Sequence, residues 1–245
     1  MRRVVYLVLF LLCLSGCWGF WHHKGPAEGL STPQARSNKE LMKLVDRAVK
    51  HFRSGRWDLA EEAFREIRDR YPDSPYALWA ELKMADCKFF AKEYLEAVVL
   101  YQEFEKLHPT NEAIPYVIYQ IATCYYKRML SPDRDQTYTK KALENYERLL
   151  RNYPDSPYKL VAKKRIQKCR ERLAEHEFYV AKFYYRTKRY RAAYARLLYL
   201  LQTYPETKTA HRARPLSQKY YHKALEETKA LAEGTLKDYW GQPVR

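Results

Sequence analysis

Glycine is sparse in this chain, with 7 in 245 residues. After Ser37 there is also no run of alternating β-branched residues. Both absences argue against a sheet, whose strands alternate with period two between glycine-rich turns. No phosphate-cradling glycine loop occurs, and neither G-x-S-x-G nor H-E-x-x-H is present. The common signatures of nucleotide binding, serine hydrolysis and zinc hydrolysis are therefore missing. No metal or other cofactor is expected. His22-His23 is an adjacent pair with no further ligand spaced to complete a site, and His51, His108, His176, His211 and His222 are scattered as surface or packing residues. The apolar run from Val4 to Leu14 is too short to span a bilayer, which takes about 20 residues.

What is present begins with Arg2 and Arg3 ahead of that run, the pattern of a secretory signal. Leu14-Ser15-Gly16-Cys17 resembles a bacterial lipobox, in which cleavage precedes a cysteine that then carries acyl chains. Cys17 is the expected lipid-attachment residue, since several acyl chains give lasting attachment where one gives marginal binding. Trp18 stands where an aspartate often signals inner-membrane retention, which by that pattern favours the periplasmic face of the outer membrane. Residues 1–16 read as signal and 17–37 as a lipidated cysteine with a flexible tether. Gly19, Gly25, Pro26, Gly29 and Pro33 interrupt any long element there, and such a coil spans on the order of 25 Å. The segment 233–245 reads as a frayed tail.

Between them, 38–232 reads as a repeat array. Tyr71-Pro72, His108-Pro109, Tyr153-Pro154 and Tyr204-Pro205 each close an amphipathic segment. Counted back from those prolines, Ala60, Ala97, Ala142 and Ala193 recur, each followed one turn later by Phe64, Tyr101, Tyr146 or Leu197. An earlier set, Ala48, Ala85, Ala122 and Ala181, precedes them by 12 residues, except in the third unit, where the gap is 20. The alanines suit positions where two helices cross closely, and the larger residue fills space toward the next pair. This is the tetratricopeptide register, so the expected fold is all-α: a superhelix of about five helix hairpins. Ser37 and Glu40 have capping-box spacing and are expected to open the first helix. Ser74-Pro75 and Ser156-Pro157 read as serine caps before a first-position proline. Between Tyr158 and Tyr204 there is neither glycine nor proline, and Ala162, Ile166, Cys169, Leu173, His176, Val180 and Tyr184 form the stripe of one long linking helix, breaking near Thr187-Lys188. A last helix is expected from about Thr207 to Ala232.

Stacked hairpins bury a continuous core and leave a groove suited to extended peptides or partner domains. Many of the 23 tyrosines have packing roles; Tyr76, Tyr94 and Tyr116, at loops and helix starts, are candidate groove aromatics. Cys87 and Cys124 occupy the same position in successive units and Cys169 lies on the long helix, so buried free thiols are expected over a disulfide. The net charge of +16 would suggest nucleic acid in a cytoplasmic protein, but an export signal argues against it. The Lys163-Lys164-Arg165, Lys168, Arg170, Arg172 cluster reads as a solvated helix face, or more sharply as a surface attracted to anionic lipid or an acidic partner.

Two stretches carry a more specific resemblance. Ser131-Pro132-Asp133-Arg134-Asp135-Gln136 and the helix Leu173 to Tyr184 resemble the third-unit insertion and the linking helix of the BamD (YfiO or ComL) family, the lipoprotein subunit of the outer-membrane β-barrel assembly machine. The resemblance implies a non-enzymatic scaffold. Its front repeats would recognise unfolded outer-membrane proteins, and its rear repeats would hold the periplasmic domains of the barrel-forming subunit beside other assembly lipoproteins. On that reading Arg191, Arg196 and Arg214 are candidate partner-binding residues. The competing readings are a periplasmic repeat adaptor coordinating cell-wall synthesis or envelope constriction, which shares the YPDSPY element, and an enzyme accessory or cell-wall-binding lipoprotein with weak catalytic activity, for which the sequence offers no pocket of convergent titratable groups.

Overall fold

The computed structural model describes residues 33–235, and the chain divides into two compact units, 1–43 and 44–245. Cys17, the expected signal, most of the expected tether and the end of the tail lie outside the described residues. Of the first unit, the described part is the start of helix α1 (Pro33–Arg53). That helix opens four residues before Ser37, correcting the capping-box expectation. Pro33 is favoured at a first helical position, and Gln34, Ala35 and Arg36 are good helix formers, so the helix extends back into the segment read as tether.

In the second unit the remaining helices are α2 (Trp57–Arg70), α3 (Pro75–Phe90), α4 (Tyr94–Leu107), α5 (Ile114–Lys127), α6 (Thr137–Asn152), α7 (Lys159–Arg186), α8 (Tyr190–Thr203), α9 (Lys208–Ala213) and α10 (Ser217–Ala232), with no strand among the described residues. Successive helices pack as antiparallel neighbours, α3 on α4, α5 on α6 and α7 on α8, so the fold is all-α and built of tetratricopeptide-type hairpins. All eight small positions read from the sequence, from Ala48 to Ala193, are 0% exposed. Phe64, Tyr101, Tyr146 and Leu197 are buried with them, as are Ile67, Phe104, Leu149 and Leu200 three residues on. One fully buried Leu or Phe side chain contributes about 1.5–3 kcal/mol.

Each second helix ends alike. The backbone N–H groups of Tyr71, His108, Tyr153 and Tyr204 donate to the carbonyls of Ile67, Phe104, Leu149 and Leu200 at 2.9–3.0 Å, and the following proline stops the helix. Three corners inside the hairpins turn through a left-handed residue: Gly55 at φ +71°, Lys92 at +66° and Lys188 at +60°. Arg56, Glu93 and Arg189 then donate back to His51, Lys88 and Tyr184, the six-to-one bond of a Schellman turn. Two of these corners use lysine where glycine is the usual residue.

Helix α7 is the expected long linker, ending at Arg186 with Thr187 as its C-cap. It serves two cores. Ala162 and Cys169 join the cluster of α3 to α6, and Leu173, Ala174 and Ala181 join the cluster of α8 to α10. The buried side therefore rotates midway. Ala174, Glu177 and Ala181 are buried, whereas the predicted stripe residues His176, Val180 and Tyr184 are half-buried. The cause is a change of packing partner, from α6 to α8.

Two other expectations are corrected. Helix α7 begins at Lys159, not after Ser156; Ser156 Oγ instead accepts from the N–H of Tyr158 at 3.2 Å in the turn before it. The last helix is broken. Thr207 caps α9 through its side chain, and Arg214-Pro215-Leu216 forms a 3₁₀ turn before α10, because Pro215 supplies no N–H to an α-helix. Cys87, Cys124 and Cys169 are free and buried, and burial pushes each thiol up to about 12.

Candidate functional site

The eight-residue enlargement of the third unit forms a loop between α5 and α6. Gln136, buried at its end, donates to the carbonyls of Ser131 and Arg134 at 2.8 and 2.9 Å and accepts from Thr139. Asp135 accepts from the N–H and hydroxyl of Thr137, both at 3.0 Å, which closes an Asx turn just ahead of α6. Helix α7 holds the loop from the other side. Arg172 donates to the carbonyl of Leu130 at 2.7 Å, His176 Nδ1 meets that of Pro132 at 2.7 Å, and Cys169 Sγ lies 3.8 Å from Met129 Sδ. The linking helix is thereby tied to the third unit along three successive points.

Two polar nodes lie inside the array. Asp86 is 1% exposed and accepts from the hydroxyls of Tyr101 and Tyr116 and from Lys83 Nζ, each at 2.6 Å. Burial, with the carboxylate beside it, pushes the Tyr101 and Tyr116 hydroxyls well above the usual phenol range. The second node is Arg165 on α7. Its Nη1 donates to Thr123 and to Tyr146, each at 2.6 Å, and its guanidinium lies 5.2 Å from the ring centres of Tyr119 and Tyr126 and 5.7 Å from that of Tyr146. It fastens α5, α6 and α7 together through cation–π and hydrogen-bond contact. Neither node was legible as such. Apart from Lys83, three positions from Asp86, the residues hydrogen-bonded to each node's centre lie between 15 and 42 positions from it, a separation no local pattern encodes.

The groove aromatics are not gathered into one contact. Tyr76 packs edge-on to Trp79, Tyr94 edge-on to Phe89, and Tyr116 edge-on to Tyr101 and tilted to Tyr158. Tyr116 thus belongs to the Asp86 node, with Gln120 donating to its hydroxyl at 2.9 Å.

The three arginines also diverge. Arg196 reaches from α8 to α7 and donates to Glu177, which is 9% exposed, at 3.2 Å. Arg191 is exposed at the start of α8, where its N–H donates to Glu227 of α10. Arg214 is exposed in the 3₁₀ turn. Arg191 borders a shallow apolar cleft between α8 and α10, lined by Tyr194, Tyr221, Ala224, Leu225 and Thr228. Tyr221 and Leu225 are 45% and 39% exposed one turn apart. That spacing was visible in the sequence, yet the same spacing marks core positions elsewhere, so it did not distinguish a cleft.

Among the described residues no three His, Cys, Asp or Glu side chains are grouped to hold a metal ion, and no helix is long and apolar enough to cross a membrane. The arrangement is one of surfaces and fasteners.

Comparison with known proteins places this geometry. The model of the YfiO family, described as an outer membrane lipoprotein, matches residues 37–235. The chain is 29% identical over 183 residues to an outer membrane protein assembly factor BamD of Pasteurella multocida, covering 71% of this chain and 70% of the relative. It is 27% identical over 218 residues to the BamD of Vibrio cholerae, covering 83% and 90%. The family match runs through every hairpin, the third-unit loop and the linking helix. The chain belongs to the YfiO family of outer membrane lipoproteins.

Proposed function

We propose that this protein is a non-enzymatic assembly factor for outer-membrane proteins, held at the periplasmic face of the outer membrane by acyl chains on Cys17. The observation that carries the reading is the family match across the whole hairpin array, together with relatives named as assembly factors. The α8–α10 cleft, with Arg191 at its rim and Arg196 and Arg214 nearby in sequence, is the candidate contact for the periplasmic domains of a barrel-forming subunit. Its exposed aromatic and arginine side chains are the types that anchor protein interfaces. The surfaces carrying Tyr76 and Tyr94 are the candidate contacts for unfolded outer-membrane proteins. Other assembly lipoproteins complete the expected set of partners.

A mild-detergent pull-down of the tagged protein from outer membranes, read by mass spectrometry, tests the role. The expected result is a large β-barrel protein with repeated periplasmic domains, in near-stoichiometric amount. Recovery of cell-wall or envelope-constriction proteins without that barrel would sink it. The anchor has its own test: Cys17→Ser is expected to leave helicity unchanged while moving the protein from the membrane to the soluble fraction. Retention of that variant on the membrane would refute lipid attachment at Cys17.

A further inference from the structure

The positive charge of this protein is not spread along the array. Residues 38–126 carry 13 Lys and Arg against 15 Asp and Glu, whereas residues 127–232 carry 26 against 11. The whole surplus sits in the rear repeats. Within them, the stretch of helix α7 from Lys163 to Arg172 sorts its cations by type. The arginines of the helix's first half turn inward as fasteners: Arg165 to Thr123 and Tyr146, Arg170 to the Thr203 carbonyl and Glu206, and Arg172 to the Leu130 carbonyl and Glu175. The lysines of that stretch face outward. Lys163, Lys164 and Lys168 are exposed, and with Leu160 and Gln167 they fall at the i, i+3, i+4, i+7 and i+8 positions of one helix face. No carboxylate lies between residues 159 and 168. Glu171, the next acid along that face, is occupied by the N–H groups of Lys208 and Thr209 at 2.9 and 3.1 Å. At the head of the face stands Leu160, 72% exposed, flanked by Val161 at 41%.

We propose that this face of α7 is a membrane-contact surface that takes the headgroups of anionic phospholipids, with Leu160 entering the interface. Three features favour a bilayer over an acidic protein. Lysine is a mobile point charge, suited to phosphates that move laterally, whereas a fixed protein carboxylate is better met by the planar fork of arginine. The arginines beside those lysines, Arg165, Arg170 and Arg172, are already engaged. Leu160 projects 72% exposed from the helix, which suits insertion among headgroups. The proposal rests on the membrane attachment proposed above, since an anchored chain meets that lipid at high effective concentration.

The test uses the processed chain, residues 17–245 with Cys17→Ser, so that binding cannot come from acyl chains. Co-sedimentation with phosphatidylglycerol-containing vesicles is expected, with little on phosphatidylcholine alone and loss at about 0.5 M salt. K163Q/K164Q/K168Q is expected to weaken binding about a hundredfold. L160Q is expected to weaken it about tenfold in a salt-independent way, and K50Q/K106Q in the front repeats to leave it unchanged. Equal binding to neutral vesicles, or a triple variant that binds as the parent does, would overturn the proposal. So would a triple variant that loses a protein partner in the pull-down while the parent ignores anionic vesicles, which would assign the face to an acidic protein. The anchor reading stands or falls separately, on Cys17→Ser in cells.

Discussion

Replacing Tyr146 with alanine is expected to lower the unfolding free energy by about 4 kcal/mol, the range seen when a large aromatic is removed from a closed core. Tyr146 is 0% exposed and sits where α6 meets α5 and α7. Its ring lies 6.2 and 6.3 Å from those of Tyr119 and Tyr126, and its hydroxyl meets Thr123 at 3.1 Å and Arg165 at 2.6 Å. Truncation removes the packing and also one face of the cage around the Arg165 guanidinium. For a chain of this size the loss corresponds to a fall in Tm of about 8–16 °C, read by circular dichroism. Tyr146→Phe separates the two contributions, because it keeps the ring and drops the hydroxyl; a cost of about 1–1.5 kcal/mol is expected. Equal losses for both variants would show that the hydroxyl contacts, and not the ring, hold the three helices.

Asp86→Ala is expected to cost about 3 kcal/mol, for a different reason. The space left by the carboxylate is small, but three donors lose their acceptor. Tyr101 is 0% exposed, so its hydroxyl has no water to turn to, and an unsatisfied buried donor costs about 1–3 kcal/mol. The Lys83 side chain, 28% exposed, recovers part of its hydration, which limits its share. Urea unfolding of Asp86→Ala in a Tyr101→Phe background checks the mechanism. With the stranded hydroxyl already gone, the aspartate substitution is expected to cost about 1–2 kcal/mol less than in the parent. Additive losses would mean that Asp86 acts mainly through Tyr116 and Lys83.

The repeat positions were legible because crossing helices accept only small side chains and a proline ends a helix wherever it falls. All eight alanines and all four proline stops therefore stand where the pattern put them. The long linker was legible from the same rule in reverse, an uninterrupted stretch without glycine or proline. The corners at Lys92 and Lys188 were not, because their left-handed backbone is imposed by the hairpin and not by a glycine. The start of α1 was misread because Ser37 and Glu40 match a cap by spacing, while Pro33 had already opened the helix. Of the candidate site, the residue types were legible and their grouping was not. Arg191 borders a cleft, Arg196 reaches across to Glu177, and Tyr116 belongs to an internal node.

The sequence by itself determined the hairpin register and the helical class, since periodicity, proline stops and small crossing residues act locally along the chain. Only the tertiary structure decided which cations turn inward and which face solvent. Arg165, Arg170 and Arg172 share a helix with Lys163, Lys164 and Lys168 and differ little from them in any local pattern. Their fates diverge because the neighbouring α5, α6 and α8 and the loops around them offer acceptors and aromatic rings to the arginine side of α7 while the lysine side is exposed, an asymmetry created by packing that joins through hydrogen bonds residues up to 42 positions apart.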